Sequence, residues 1–121
     1  MRKIVLTLVL GLGTAAPVQA AMTLAEFLPK ANRLHAKGAM AVFSSDLKPV
    51  MTEMRAVGRD LKAESERRKA ANLPRRSCPP EGTKLDSGEL LAMLNAIPPA
   101  DRGMSVKDGL LRVMAARFPC R

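Results

Sequence analysis

The feature that most constrains the fold of this chain is its pair of cysteines, Cys78 and Cys120, because two cysteines allow only one intramolecular disulfide. A bond between them spans 42 positions and joins the middle of the chain to its last residues. Chain-entropy arithmetic assigns such a loop about 4 kcal/mol of stabilisation. A domain of roughly 100 residues has a thin core, so we expect this crosslink to contribute strongly to its folding. We predict a structural disulfide, because a redox role needs a Cys-x-x-Cys pair or a thiol of low pKa.

The N-terminus has the pattern of a secretory signal peptide. A positively charged start precedes an apolar run over residues 4–12, and small or modest side chains lead up to Ala20 as in a cleavage site. The apolar run is shorter than the roughly 20 residues that span a bilayer, so no transmembrane anchor is expected. We predict a signal peptide over residues 1–20 and a periplasmic domain over residues 21–121, in an oxidising compartment that favours the disulfide.

The rest of the sequence predicts an all-α fold, a small four-helix domain with one long helix. No stretch alternates in the manner of a strand, whereas apolar residues recur at intervals of three and four. Thr23 and Glu26 have capping-box spacing before the first helix, which Gly38 closes. Pro29 lies inside this helix and cannot donate a helical hydrogen bond, so we expect a kink or a short first segment.

The second helix is predicted to be the longest. Ser44 and Ser45 are its candidate N-caps, and a stripe of apolar residues with helical spacing follows them. Residues 62–69 contain no large apolar side chain. They predict a helix end that projects into water and is supported by ion pairs such as Glu64 with Arg68.

Two shorter helices follow. Asp86 with Glu89, and Ser105 with Asp108, again have the spacing of N-terminal caps. The apolar faces of the four helices comprise Leu24, Phe27, Leu28, Ala31, Leu34, Leu47, Val50, Met51, Met54, Val57, Leu61, Leu90, Leu91, Leu94, Ile97, Val106, Leu110, Leu111, Val113 and Met114.

Charge and aromatic content limit the classes of partner. The chain carries 20 lysines and arginines against 11 acidic residues, a formal net charge of +9, and contains no tryptophan or tyrosine. Without aromatic platforms for base stacking, and with export predicted, nucleic acid is not an expected partner. The basic groups of residues 55–76 either form a solvated helix end or attract an acidic partner or an anionic envelope surface.

No motif of catalysis or cofactor binding occurs in the sequence. His35 is the only histidine, the cysteines are assigned to the disulfide, and neither a metalloprotease motif nor a phosphate-binding glycine loop is found. We therefore expect a protein that is not an enzyme and binds no cofactor. Met51 and Met54 raise the alternative of a Cu(I) site, but their spacing is more typical of core packing, and no metal site is predicted.

The segment between the second and third helices is the strongest candidate for a binding site. Arg75 and Arg76 precede its cysteine, and Pro79, Pro80 and Glu81 follow it. Prolines and a disulfide restrict such a loop, so it loses little conformational entropy when it binds a partner. The alternative is a connector whose prolines only end the flanking helices.

Residues 78–120 also carry an ordered set of motifs. They are Cys-x-Pro-x-Gly from Cys78 to Gly82, an amphipathic helix with Leu90 and Leu94, a turn with Pro98 and Arg102, then Ser105 and Leu110, and the terminal Phe118, Pro119 and Cys120. In these motifs the chain resembles the Rap/Tai family of type VI secretion immunity proteins. Residues 31–76 depart from the family pattern, because its members often carry further cysteines in the N-terminal helices.

The resemblance implies a small periplasmic helical protein that binds a peptidoglycan amidase effector and occludes its active site, often as a homodimer. It also implies that Cys78 and Cys120 form the structural disulfide of the family. We expect a steric mechanism, in which the proline-rich loop enters the cleft of the enzyme and Arg75, Arg76 or Arg102 pairs with acidic groups there.

A basic envelope protein is the alternative function. Arg67, Arg68, Lys69, Arg75 and Arg76 then bind anionic lipid or the phosphates of lipopolysaccharide. Binding of this kind, driven by exposed charge, weakens steeply between low and physiological ionic strength. A packed protein interface with a desolvated centre keeps most of its affinity, so salt separates the two functions.

Overall fold

The computed structural model describes residues 21–121, and the predicted signal peptide lies outside the described residues. The described part of the chain contains four α-helices and no strand, which confirms the predicted all-α fold with one long helix. None of the helices in this part is long and apolar enough to cross a bilayer. Short 3₁₀ segments, Gly38–Phe43 and Pro99–Asp101, lie between them. The helices are α1 (Leu24–Lys37), α2 (Leu47–Ala70), α3 (Ser87–Asn95) and α4 (Val106–Arg117).

The core is built around α1, which packs against each of the other three helices. Its side chains Leu24 and Leu28 are fully buried, as are Leu94 of α3 and Val106 of α4. Every buried apolar residue belongs to a face that the sequence predicted. The buried residues are Leu24, Phe27, Leu28, Ala31, Val50, Val57, Leu94, Ile97, Val106, Leu110 and Val113.

The first turn of α1 docks on the segment that leads into α4. Thr23 caps α1 in the predicted capping box, and its hydroxyl accepts the backbone amide of the third helical residue at 3.3 Å. The amides of Leu24 and Ala25 donate to the carbonyls of Met104 and Arg102, each at 2.9 Å. Amides at a helix start have no partner within the helix, so this contact satisfies them and fixes α1 against the start of α4.

The predicted caps of the later helices are also confirmed. Asp86 accepts the Glu89 amide at 2.7 Å and forms a capping box at α3. Ser105 caps α4 by accepting the Asp108 amide at 3.1 Å. Gly38 ends α1 with a φ of 54°, a left-handed conformation that suits glycine. Four short-range sequence signals therefore place helix ends correctly.

The short first segment expected at Pro29 is wrong, because α1 runs on to Lys37. Proline removes one helical hydrogen bond and leaves the carbonyl four residues earlier, that of Ala25, without its partner. Pro29 and Ala25 are both exposed, so water can hydrate that carbonyl. Burial of the apolar face of α1 then outweighs the local loss.

At the start of α2, Ser44 acts as the sequence predicted. Its backbone is extended, and its hydroxyl accepts the Asp46 amide at 3.2 Å in the manner of an N-cap. Asp46, the residue directly before α2, has helical backbone angles, and its side chain makes no capping hydrogen bond. The carboxylate instead accepts two hydrogen bonds from the Arg33 guanidinium, at 2.8 and 3.1 Å. These hydrogen bonds, assisted by the charges of Arg33 and neighbouring lysines, outweigh desolvation and lower the pKa of the Asp46 carboxyl below its ordinary value.

The predicted disulfide joins Cys78 and Cys120, whose Cα atoms lie 4.9 Å apart. The Cys78 amide also donates to the Phe118 carbonyl at 2.8 Å. Covalent and hydrogen bonding thus hold the chain after α2 against the end of α4. The disulfide fits an extracytoplasmic protein, because such bonds persist in oxidising compartments.

Candidate functional site

The chain between α2 and α3, residues 71–86, is named the clamped loop, and it reverses direction directly after α2. Asn72 has a φ of 54°, a left-handed conformation that asparagine tolerates, and the Leu73 amide donates to the Arg68 carbonyl at 2.9 Å. The Arg68 guanidinium donates to the Pro74 carbonyl at 2.7 and 3.1 Å. The start of the clamped loop is therefore folded back on the last turn of α2.

The carboxylate of Glu64 joins the clamped loop to α2 and α4. One oxygen lies 2.5 Å from a guanidinium nitrogen of Arg76, and the other lies 3.5 Å from the Lys107 ammonium. Only 16% of the Glu64 side chain is exposed, so solvent screens these ion pairs less than pairs between fully exposed groups. A single half-buried carboxylate thus holds two cations from different parts of the chain.

The prediction of a solvated end for α2 is therefore wrong on one side of that helix. Glu64 pairs with Arg76 and Lys107 instead of Arg68, its predicted partner. The reason is tertiary, because the clamped loop and α4 cover one side of this polar turn and bring cations to it. Arg68 meanwhile finds a carbonyl acceptor in the clamped loop.

The disulfide fixes the middle of the clamped loop. Cys120 Sγ lies 3.5 Å from the Arg75 carbonyl oxygen, and Cys78 and Pro79 are both half-buried. Together with the contacts of Pro74 and Arg76, the crosslink gives the loop three attachments to the helical body within five residues, Pro74–Cys78.

Residues 80–84, named the loop tip, form an exposed turn beyond the disulfide. The Thr83 amide and hydroxyl both donate to the Pro80 carbonyl, at 3.0 and 2.5 Å. Gly82 has a φ of 81°, which glycine adopts without a steric penalty. Glu81 is exposed at this turn. The tip is thus internally hydrogen-bonded while its side chains face solvent.

An open apolar groove of about 860 Å³ lies beside the base of the clamped loop. Its walls come from α2, the clamped loop, α3 and α4, and its rim carries the cations Arg68, Lys69 and Arg75. Leu73 is 51% exposed at the groove. Apolar side chains that line the groove include Met54, Leu61, Leu73, Leu90, Leu111 and Met114.

A second hollow of about 420 Å³ extends the groove between α1, α2 and α3. Met54 and Leu90 line both spaces, so the two form one apolar surface along α2 and α3. Met51 lines the second hollow and is exposed, which corrects its prediction as a core residue. Its side chain lies at the open edge of the hollow, where no helix covers it within the described residues.

The predicted partner-binding residues of the clamped loop differ in accessibility. Arg75, Pro80 and Glu81 are exposed, whereas Pro79 is half-buried beside the disulfide. The Arg76 guanidinium is partly exposed but already engaged in its ion pair with α2. Three of the five predicted residues in this loop are therefore freely available to a partner.

Arg102 belongs to a different element, the turn between α3 and α4. Its Nε and Nη2 donate to the carbonyls of Ile97 and Asn95, each at 2.9 Å. The carbonyls at the C-terminus of a helix lack partners within the helix, and here Arg102 donates to them. Its guanidinium therefore has a structural role. A role for Arg102 in partner binding stays a prediction.

Within residues 21–121, no group of three or more histidine, cysteine or acidic side chains is arranged to hold a metal ion. The groove has no signal in the sequence, because its wall residues come from four separate elements. Glu64 is an acidic residue in a strongly basic stretch, but Asp60 and Glu66 share that feature, so the sequence alone does not single it out.

No protein-family model, curated protein or solved structure matches this chain. The resemblance to the Rap/Tai family accordingly stays a prediction that depends on the motifs of residues 78–120.

Proposed function

We propose that this chain is an extracytoplasmic immunity protein that inhibits a type VI secreted peptidoglycan amidase by steric contact. In this proposal the loop tip enters the active-site cleft of the enzyme, and the groove receives an apolar ridge beside that cleft. The observation that carries the proposal is the position of the clamped loop, which is held at three points and borders an open apolar groove. The motifs of residues 78–120 supply the class of partner.

The attachment of the clamped loop supports an inhibitory role. The Arg68–Pro74 contact, the Glu64–Arg76 ion pair and the disulfide hold the loop in one arrangement before any partner arrives. A segment that is ordered in advance loses less conformational entropy on binding, so more of its contact energy contributes to affinity. The small, turn-shaped tip then suits a concave enzyme site.

The groove supports a protein partner over a purely electrostatic one. Stable protein interfaces have an apolar, desolvated centre and a polar rim. The groove offers apolar side chains such as Leu73 and Met54, and the exposed cations Arg75 and Lys69 line it as well. A partner with apolar side chains flanked by carboxylates therefore matches this surface in both shape and charge.

The alternative, an anionic-surface binder that uses the basic residues 67–76, receives less support. Of the five cations in that set, Arg68 donates to a carbonyl and Arg76 pairs with Glu64. Both charges are partly satisfied inside the molecule, which lowers their contribution to binding a membrane. Fewer free cations remain than the sequence suggests.

The test measures hydrolysis of purified peptidoglycan by type VI amidase effectors encoded next to this chain's gene, with and without the exported chain. We expect inhibition at equimolar chain. The variants Arg75→Glu and Glu81→Arg should each weaken inhibition by about tenfold or more, as expected for loss of a central interface contact. Arg59→Glu is the matched control, because Arg59 is an exposed cation of α2 that does not line the groove.

Salt and partner recovery separate the two functions. A protein complex should survive at physiological ionic strength, because its centre is desolvated. Unchanged hydrolysis with every neighbouring amidase, together with no protein recovered from a periplasmic extract, would overturn the proposal. If Arg75→Glu and Glu81→Arg both still inhibit in full, the contact with the amidase lies on another surface of the chain.

A further inference from the structure

The 3₁₀ segment Gly38–Phe43, between α1 and α2, exposes three large apolar side chains. Phe43 is 80% exposed, Val42 65% and Met40 63%, and no residue of the segment is buried. The three lie within four positions, so they form one patch. A contiguous exposed apolar patch of this kind marks a site that contacts a protein or a membrane.

Cations border this patch on the elements that flank it. Lys37, the last residue of α1, donates from Nζ to the Ser44 hydroxyl at 3.3 Å, so its charge lies next to Phe43. Lys48 is exposed in the first turn of α2. Lys30 acts electrostatically on Asp46, as Lys37 does, which places both lysines near the junction of α1 and α2.

Asp46 is the only acidic residue between positions 27 and 52, and it is already paired with Arg33. One acidic group from another element, Asp86 at the start of α3, approaches α1. Its carboxylate lies close to the His35 ring. A Cβ placed at Gly88 would be 3.2 Å from Asp86 Oδ1 and 3.3 Å from His35 Cε1. His35 lies on a different face of α1 from these lysines, because it is rotated about the helix axis by about 200° from Lys37 and about 140° from Lys30. The border of the apolar patch is therefore cationic.

We propose that the Gly38–Phe43 segment inserts Met40, Val42 and Phe43 into the interface of an anionic phospholipid bilayer, with Lys30, Lys37 and Lys48 bound to its phosphates. The lysines distinguish this partner from a protein. Protein interfaces are depleted in lysine, whereas lysine stems reach along a bilayer surface and present their ammonium groups to phosphate. Apolar side chains surrounded by lysines match the chemistry of an anionic membrane interface.

Different residues carry this inference and the proposed inhibition. The lipid contacts come from Met40, Val42, Phe43 and three lysines that do not line the groove, whereas the inhibitory contacts come from the loop tip and the groove. Failure of one proposal therefore leaves the other standing, because different residues and assays are involved.

The first experiment measures co-sedimentation of the exported chain with vesicles of phosphatidylglycerol and, separately, of phosphatidylcholine. We expect binding to the anionic vesicles, and the double variant Val42→Ser with Phe43→Ser should reduce the partition coefficient by about tenfold or more. Lys37→Gln should reduce it by about fivefold. Leu73→Ser is the matched control, because Leu73 is exposed at the other end of α2 among the basic residues 67–76.

The second experiment uses the absence of tryptophan and tyrosine from the chain, which makes an introduced indole the only strong fluorophore. Phe43→Trp and Leu73→Trp are compared in the presence of phosphatidylglycerol vesicles. We expect a blue shift and quenching by brominated lipid for Phe43→Trp, and no change for Leu73→Trp. Circular dichroism of each variant checks that the helices are intact.

Three results would overturn the proposal. One is absence of binding to phosphatidylglycerol vesicles at low ionic strength. Another is a spectral change for Leu73→Trp alone, which would assign lipid binding to the basic end of α2. The third is a self-association, measured by sedimentation equilibrium without vesicles, that the Val42→Ser and Phe43→Ser double variant abolishes, because a second copy would then cover the patch.

Discussion

Glu64 and Arg76 are twelve positions apart in the sequence, yet their side chains meet at 2.5 Å and join the last turns of α2 to the clamped loop. The same carboxylate holds Lys107 of α4 at 3.5 Å. The loop, the long helix and the last helix therefore meet at one half-buried charge. Arg76 lies two positions before Cys78, so electrostatic and covalent attachment act on the same short stretch of the loop.

Removal of the Glu64 carboxylate should release this junction. Glu64→Gln should lower the free energy of unfolding by about 0.5 to 1 kcal/mol, because Arg76 remains partly solvated and screening limits the loss. Urea denaturation measures this loss in the free energy of unfolding. Glu66→Gln, an exposed acidic residue one half-turn away, is the control and should cost less. Equal losses for the two variants would show that the junction contributes nothing.

Reduction of the disulfide should destabilise the protein more than any single surface change. Loop-closure entropy sets the expected loss at about 4 kcal/mol or less. Urea denaturation of the oxidised chain and of the Cys78→Ser, Cys120→Ser double variant measures it, and reductant should not affect the variant. Titration of the unfolded oxidised chain should find no free thiol. Two free thiols in the freshly isolated chain would contradict the crosslink.

The close approach of α1 and α4 requires glycine at position 109. A Cβ there would lie 2.6 Å from Leu24 Cδ1, and Leu24 is fully buried, so neither side chain can move freely. Gly109→Ala should therefore lower the free energy of unfolding by about 1 to 3 kcal/mol.

Gly58 in α2 provides the matched control for that substitution. A Cβ at this position meets no atom within 4 Å, and alanine favours the helix. Gly58→Ala should raise the free energy of unfolding by about 0.5 to 1 kcal/mol. Effects of the same sign at the two glycines in thermal unfolding would contradict the packing described for α1 and α4.

The Arg33–Asp46 pair should make stability depend on pH at the acidic end. Because the pKa of Asp46 is lower in the folded chain than in the unfolded one, its contribution is complete above the ordinary carboxyl pKa. This stabilisation is lost as the pH falls through the lowered pKa of Asp46, so the pH-dependent loss of stability lies below about pH 4. Asp46→Asn should be less stable than the parent at neutral pH and should approach it in strong acid.

Thermal unfolding at several pH values measures that convergence. Asp60→Asn is the control, because Asp60 is exposed on α2 and its side chain has no ion-pair partner among the described residues. A constant difference between parent and Asp46→Asn from neutral pH to strong acid would contradict the role given to the Arg33 contact.

Local signals in the sequence were sufficient for most of the fold. Capping boxes at Thr23 and Asp86 depend on contacts three residues apart, so they are readable without tertiary structure. The single cysteine pair also left no choice of partner. The helix faces followed from periodicity alone, and every buried apolar residue came from them.

The rest depended on contacts between distant elements. The carboxylate of Asp46 pairs with Arg33 of α1, and Glu64 leaves its predicted helical partner for a cation in the clamped loop. Met51 satisfied the helical spacing but lies at an open edge, since periodicity identifies a face and not what covers it. The apolar groove is a space between four elements, and no single stretch of sequence encodes it.

The most direct test of the central claim is amide hydrogen exchange of the exported chain, with and without the neighbouring amidase effector. Without the enzyme, the Cys78 and Thr83 amides should already be protected, since they donate to Phe118 and Pro80. With the enzyme, added protection should concentrate in residues 71–86 and the groove face of α2. Exchange of those two amides at the rate of an unstructured peptide, or added protection only elsewhere, would contradict the account.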